Sequence, residues 1–349
     1  MNSNVLSDDS LFLRALRGED TDRAPIWLMR QAGRHLAEYR QLKEKHTFWE
    51  LVRTPELATL VTLQPVRRYG MDAAILFSDI MTPLPALGIE VEFKPGPVLA
   101  NPIRTAAQVE ALHLPEAQVI APFVSETLRN LREESPVPVI GFAAAPLTLA
   151  TYAIEGSGSK DYATFRSFLR REPMVAHALL ELLTEVTIRY LRMQVDSGAA
   201  AVQIFDSWAG LHDGPTFREF GLPYLRRVLQ AVDAPAIYMG LNTAHLAEQL
   251  AELPVNALSV DWRLPLSYWR GVLPGRTLQG NLDPAQLLAP AASLTAAAQA
   301  VLREGLGGPH IFNLGHGVIP TTDPGSVELL VDTVRQFDRR VAFADGMTV

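Results

Sequence analysis

Two arginines four positions apart are the residues best suited to chemistry in this sequence. Arg30 and Arg34 close the stretch Pro25-Ile-Trp-Leu-Met-Arg-Gln-Ala-Gly-Arg34, in which a short apolar run gives way to a tight loop and Gly33 is free to take backbone angles that other residues avoid. A guanidinium is planar, permanently charged and offers a fork of donors that fits a carboxylate two-pronged, so such a loop can clamp a polyacid. The competing reading is plain surface charge, because only 4 of the 31 basic residues are Lys and 27 are Arg. Asp79 follows Ile75-Leu76-Phe77-Ser78, where a carboxylate meets apolar surroundings and needs a partner. An ion pair with Arg30 or Arg34 would be its structural explanation, and a reacting group its functional one. His316 stands between Gly315 and Gly317, while Tyr152 and Ser207 contribute hydroxyls that could serve a ligand or merely bond to backbone. With no cysteine anywhere, thiolate metal sites, disulfides and a Cys nucleophile are excluded, leaving carboxylate, imidazole, hydroxyl, arginine or a cofactor.

The elements that must carry these residues are short and apolar. Runs at 26–29, 73–77, 137–142, 201–205, 235–239, 257–260, 277–279 and 311–314 read as eight buried strands, with helical stretches such as 174–195 and 215–232 between them. Asp213-Gly-Pro caps the second of these helices, and Thr54-Pro55 opens another that runs to Tyr69. Eight strands alternating with amphipathic helices is the pattern of an α/β protein of the closed (β/α)8 TIM-barrel class, in one domain spanning 1–349. An open doubly wound sheet fits less well, since no Gly-rich phosphate loop follows the first strand. Residues 1–20, with Ser7-Asp-Asp-Ser10 as a helix cap, read as an N-terminal helical cap; 37–47 reads as polar and mobile; 84–99, with a Lys94-Pro-Gly-Pro97 turn, reads as a β-hairpin inserted after the second strand.

Chemistry in a parallel barrel gathers where the strands end, and polar groups follow most of these runs. They are Arg30 and Arg34, Ser78-Asp79, 143–148 and then Tyr152, Asp206-Ser207-Trp208, Asn242, Asp261-Trp262, Asn281, and Asn313-Leu-Gly-His316. Asp206 and Asp261 are read as helix caps and Asn242 as a turn residue. The net charge of −7 argues against a broad nucleic-acid face, so an acidic ligand needs a local arginine cluster. No window approaches the ~18 uninterrupted apolar residues of a membrane span, residues 1–10 lack a signal-peptide pattern, and the expected location is the cytoplasm. His-Glu-x-x-His is absent, so no spacing demands a metal.

These motifs carry a resemblance. The ten-residue arginine motif closely resembles the first signature of the uroporphyrinogen decarboxylase family, and Gly141-Phe-Ala-Ala-Ala-Pro-Leu-Thr-Leu-Ala-Thr-Tyr152-Ala-Ile-Glu-Gly156 is similar to the second. Phe77-Ser-Asp79-Ile, Phe205-Asp-Ser207-Trp-Ala-Gly and Asn313-Leu-Gly-His316-Gly match in order, so the likeness covers nearly the whole chain; Leu147 departs from it, standing where the family usually has an aromatic residue. The resemblance implies a (β/α)8 barrel acting as a homodimer with no metal or organic cofactor. Its reaction would convert the four acetate arms of uroporphyrinogen III to methyls, giving coproporphyrinogen III in haem biosynthesis. Carried over by motif, substrate would be bound by Arg30, Gln31, Ala32, Gly33, Arg34, Asp79, Tyr152, Ser207 and His316. Catalysis would fall to Asp79, Arg30 and His316, with Asp79 stabilising the transition state and His316 better matched in pKa than an arginine to deliver a proton. Two rivals are a cobalamin-linked methyltransferase, disfavoured because its zinc-bound thiol chemistry typically uses Cys ligands, and a non-catalytic tetrapyrrole carrier.

Overall fold

The computed structural model describes residues 9–94 and 96–344. A parallel sheet of seven strands forms its centre, in the order Ala74–Ile75, Val139–Ala144, Ala201–Asp206, Ala236–Gly240, Ala257–Ser259, Thr277–Leu282 and His310–Leu314. Each strand pairs with the next in sequence, and crossover helices such as Pro122–Glu134, Pro173–Asp196 and Ala291–Gly305 return the chain between them. Cover on both faces explains why these strands read as continuous apolar runs rather than as alternation. The sheet is curled. Trp27 Nε1 donates to Gln279 Oε1 at 3.0 Å, and Gln279 Nε2 reaches Gln203 Oε1 and Ser259 Oγ, each at 2.9 Å, so side chains of Gln203 and Gln279, from strands with two others between them in the sheet, meet inside.

The run at 26–29, expected as the first strand, joins the ladder through only a single parallel bridge, Ile26 to Phe312. Phe312 N–H donates to Pro25 O and Asp72 N–H to Ile26 O, each at 2.8 Å, so the segment lies between the last strand and the chain entering the first. Pro25 has no N–H to give. The amides that could extend a ladder are taken by side chains instead: Ile26 N–H by Asp72 Oδ2 at 2.7 Å, Leu28 N–H by Gln31 Oε1 and Met29 N–H by Asn313 Oδ1, both at 3.0 Å. The run at 73–77 is likewise cut short, because Phe77 N–H donates to Thr62 Oγ1 at 2.9 Å and the chain turns away into Ser78 and Asp79.

Several expectations need correction. Residues 37–47 are not a mobile polar segment: Ala37–Lys45 is a helix laid on the core through Tyr39 and Leu42, and Thr47 then forms a capping box with Glu50 that starts the helix Phe48–Arg53. The stretch read as one helix over 215–232 is two, Gly214–Phe220 and Leu222–Ala231, since Pro223 cannot donate within a continuous helix. Asp213 does cap the first of them, accepting from Thr216 N–H at 2.8 Å, whereas Thr54 precedes Pro55–Tyr69 without a side-chain cap bond. Within 84–99, Leu84–Leu87 is a 3-10 turn; Val91–Phe93 and Pro97–Leu99 pair antiparallel around a turn of which Pro95 lies outside the described residues. Ser10 caps the helix Leu11–Leu16, which packs against the last strand, while Ser7 and Asp8 lie outside the described residues.

Candidate active site

The arginine loop is pinned from three sides. Arg23 holds Asp72 with two bonds of 2.7 and 2.8 Å, and Asp72 in turn holds Ile26. Gln31 faces inward, fully buried, and donates to Ala73 O at 3.1 Å while accepting from Leu28 N–H. Its side chain therefore shapes the loop rather than facing a ligand. Asn313 anchors Met29, and Val318 N–H donates to Met29 O at 2.9 Å. So fastened, Arg30 is kept at φ 60, a left-handed conformation uncommon for a residue with a side chain. The unusual angle was expected at Gly33, which does not carry it; a Cβ there would instead press against the Arg30 carbonyl at 3.1 Å.

Arg30 and Arg34 are both exposed, and among the described residues neither has a carboxylate within ion-pair distance. Arg30 lies across Gly317, where any Cβ would collide with its side chain, and its charge acts on Asp79, Tyr152 and His316. Arg34 acts on Tyr39, whose ring lies 5.7 Å from that of Phe77, two residues before Asp79. Ala32 and Gly33 are half-buried between them.

Asp79 is held in a turn by Met81 N–H, which donates to its Oδ1 at 2.8 Å, while the Ser78 and Thr82 hydroxyls bond at 2.9 Å alongside. Its other oxygen takes no hydrogen bond among the described residues. Though part of its surface stays open, dense surroundings strip enough water to push its pKa up to about 6, against the pull of Met81 N–H and Arg30. Tyr152, on the helix Pro146–Glu155, meets Trp208 edge to face at 5.9 Å, and Trp208 packs on Tyr162 at 4.3 Å. Burial raises the Tyr152 hydroxyl, the Trp208 indole opposes that, and Asp79 and Arg30 add smaller, opposite effects. Ser207 is half-buried beside them. Leu147 is buried in the core.

Asp206, expected as a helix cap, is nothing of the kind: Thr148 donates to Oδ1 at 2.7 Å and Tyr238 to Oδ2 at 3.1 Å, in full burial that pushes its pKa up to about 6. Asp261 also caps no helix. It gathers Asn242 N–H, Arg263 N–H at 2.9 Å and the Arg263 guanidinium at 3.0 Å, and Asn242 is a turn residue at φ 56.

His316 is wedged between those groups. Its pKa falls to about 4, first through burial, then through Arg30 and Arg263, with Asp261 opposing. At neutral pH the ring is uncharged, which removes the pKa match expected of it as an acid and leaves a hydrogen-bonding partner. The arrangement brings together Arg30, Asp79, Tyr152 and His316, and adds Arg263 and the anchor Asn313, which sequence reading had not assigned roles. Arg263 stands two residues past Asp261, in the turn that follows the strand Ala257–Ser259.

Unpaired arginines near an under-bonded carboxylate suit an acidic ligand, and the family to which the chain belongs follows from comparison with known proteins. The family model described as "Uroporphyrinogen decarboxylase (URO-D)" matches residues 7–337. A protein named uroporphyrinogen decarboxylase from Geobacillus kaustophilus (strain HTA426) is 46% identical over 333 residues, covering 93% of this chain and 96% of the relative. One of the same name from Halalkalibacterium halodurans is 44% identical over 341 residues, covering 96% and 98%. Among solved structures, a methyltransferase from Methanosarcina mazei superposes with a TM-score of 0.78 at 22% identity, covering 93% of this chain and 97% of the other, a likeness of fold alone. With both the family model and full-length relatives in agreement, the chain belongs to the uroporphyrinogen decarboxylase family.

Proposed function

We propose that this chain decarboxylates the four acetate arms of uroporphyrinogen III to methyl groups, giving coproporphyrinogen III for haem biosynthesis, as a carboxy-lyase that needs no cofactor. The observation that carries the reading is Asp79: a carboxylate raised to about pKa 6 by burial, with one oxygen unengaged and, near it, an arginine that pairs with no carboxylate, both among the described residues. Losing carbon dioxide from a simple acetate arm leaves an unstabilised carbanion. A pyrrole protonated on the ring carbon next to that arm becomes a cation that can accept the electrons. The bond to the carboxylate then breaks, its electron pair forms an exocyclic methylene, and carbon dioxide leaves; a proton added to the methylene and one lost from the ring restore an aromatic pyrrole bearing a methyl. In sum, one proton is consumed and one carbon dioxide released per arm.

In this scheme Asp79 accepts hydrogen bonds from pyrrole N–H groups and favours the ring cation, most strongly where water is excluded. Arg30 and Arg34 hold side-chain carboxylates, and neutral His316, Tyr152 and Ser207 orient others. The substrate supplies its own electron sink, which is what makes a cofactor dispensable. Closure of the sheet into a (β/α)8 barrel, with 26–29 as the eighth stave, is part of the same reading and is supported by the Ile26 bridge to Phe312 and the Trp27 bond across the interior. So are a homodimer, which sedimentation would test, and a cytoplasmic location; among the described residues no helix is long and apolar enough to cross a membrane.

Incubating the purified protein with uroporphyrinogen under reducing conditions tests the proposal. Carbon dioxide release with coproporphyrinogen formation is the expected result, and tight binding without release would instead identify a carrier. The methyltransferase reading is not favoured, since the chain has no Cys to hold zinc.

A further inference from the structure

We infer that Arg263 is a third substrate-binding arginine, which takes a peripheral carboxylate on a pyrrole ring other than the one reacting over Asp79. This rests on the decarboxylase reading and extends its binding site. Arg263 follows the end of the strand Ala257–Ser259, at the same rim that carries Arg30 and His316. Its guanidinium lies 4.4 Å from the centre of the Trp262 ring and 3.0 Å from Asp261 Oδ2, so its direction is set from two sides. Asp261 is nearly enclosed at 7% side-chain exposure, whereas Arg263 is open at 47%. The carboxylate also serves two backbone amides, Asn242 N–H and Arg263 N–H, and only one nitrogen of the Arg263 guanidinium bonds to it. Most of the guanidinium's donors are left for a ligand.

The glycines around His316 bring this group to the site. Gly315 packs so closely on Asp261 and Trp262 that a Cβ would lie 2.9 Å from the indole and 3.0 Å from the Asp261 carbonyl carbon, and Gly317 is overlaid by Arg30. His316 is thus flanked by the Asp261-Trp262-Arg263 turn on one side and Arg30 on the other, and both guanidiniums act on its ring. Arg30 neighbours Asp79 and so belongs to the reacting pyrrole; Arg263, across His316, faces a more distant part of a macrocycle whose carboxylates project all round. An arginine pre-aimed by an aromatic face and a buried carboxylate loses little freedom on binding, which favours affinity over rate.

The test compares Arg263→Gln and Arg263→Lys with the wild type on uroporphyrinogen and on the pentacarboxylate intermediate. Arg263→Gln is expected to raise KM for uroporphyrinogen about tenfold with kcat within about twofold and Tm unchanged, and Arg263→Lys to recover part of the loss. An equal KM increase on the pentacarboxylate assigns the contact to a propionate, and a smaller one to an acetate removed earlier. A folded Arg263→Gln with wild-type KM on both substrates overturns the inference, as does a fall in kcat and Tm with KM unmoved. Failure of the wild type itself to release carbon dioxide would sink the decarboxylase reading, so the two failures are distinguishable.

Discussion

Asp79 and Asp206 are two carboxylates at the ends of parallel strands, both pushed by burial to a pKa of about 6, and they differ in how their oxygens are engaged. Asp206 has both oxygens committed, one to Thr148 and one to Tyr238, and is 1% exposed. Asp79 spends one oxygen on Met81 N–H, takes no hydrogen bond on the other among the described residues, and is half-buried within reach of the Arg30 charge. A strand-end position and a raised pKa are common to both, so neither marks the site by itself. What separates them is hydrogen-bonding capacity left unused on a side chain that is only half-buried.

The sharpest way to break this comparison is to neutralise each in turn. Asp79→Asn should lower kcat roughly a thousandfold, the scale of removing one charge-stabilising group from an active site. The same change should stabilise the fold at pH 7 by about 1–3 kcal/mol, because a raised carboxylate pKa means that ionisation opposes folding. That gain is complete above about pH 6 and vanishes below about pH 4, which urea titrations at several pH values would read. Asp206→Asn should leave turnover within about tenfold, since no reacting group is lost. A comparable collapse in both variants would show that the distinction drawn from bonding is wrong.

Next in size is Arg30. Arg30→Gln should reduce kcat/KM about a hundredfold, equivalent to roughly 2–3 kcal/mol of charge-assisted bonding. Because Arg30 pulls the Asp79 pKa down, its loss should also move the acid limb of the rate profile to higher pH. An unshifted limb would separate Arg30 from Asp79. Smallest is Tyr238→Phe, which strips one donor from Asp206 and should cost about 1.5–3 kcal/mol in stability while leaving activity within about twofold. A large fall in turnover there would move Asp206 into the chemistry.

Much of this was legible in the residues. The apolar runs located all seven ladder strands to within a few positions, because a strand covered on both faces has little choice but to be apolar throughout. The run at 26–29 was placed correctly along the chain but does not form a ladder, since its amides go to Asp72, Gln31 and Asn313, and such long-range side-chain bonds leave no periodic trace. The helix Ala37–Lys45 was missed because only Tyr39 and Leu42 face the core, too few for a clear stripe. At the site, Arg30, Asp79, Tyr152 and His316 are brought together, whereas the inward turn of Gln31 and the approach of Arg263 depend on how the loops fold. The ordinary pKa of histidine suggested His316 as an acid; burial, then the charges of Arg30 and Arg263, lower it to about 4 and leave the ring neutral.

The most direct trial of Asp79 as the group that steadies the protonated pyrrole is the pH dependence of kcat/KM for uroporphyrinogen decarboxylation, measured in parallel for the wild type and a folded Asp79→Asn. The wild type should lose activity as pH falls through about 6, when the carboxylate takes up its proton. The variant should be slower at every pH and lack that limb. Equal rates with the same limb in both proteins would contradict the role given to Asp79.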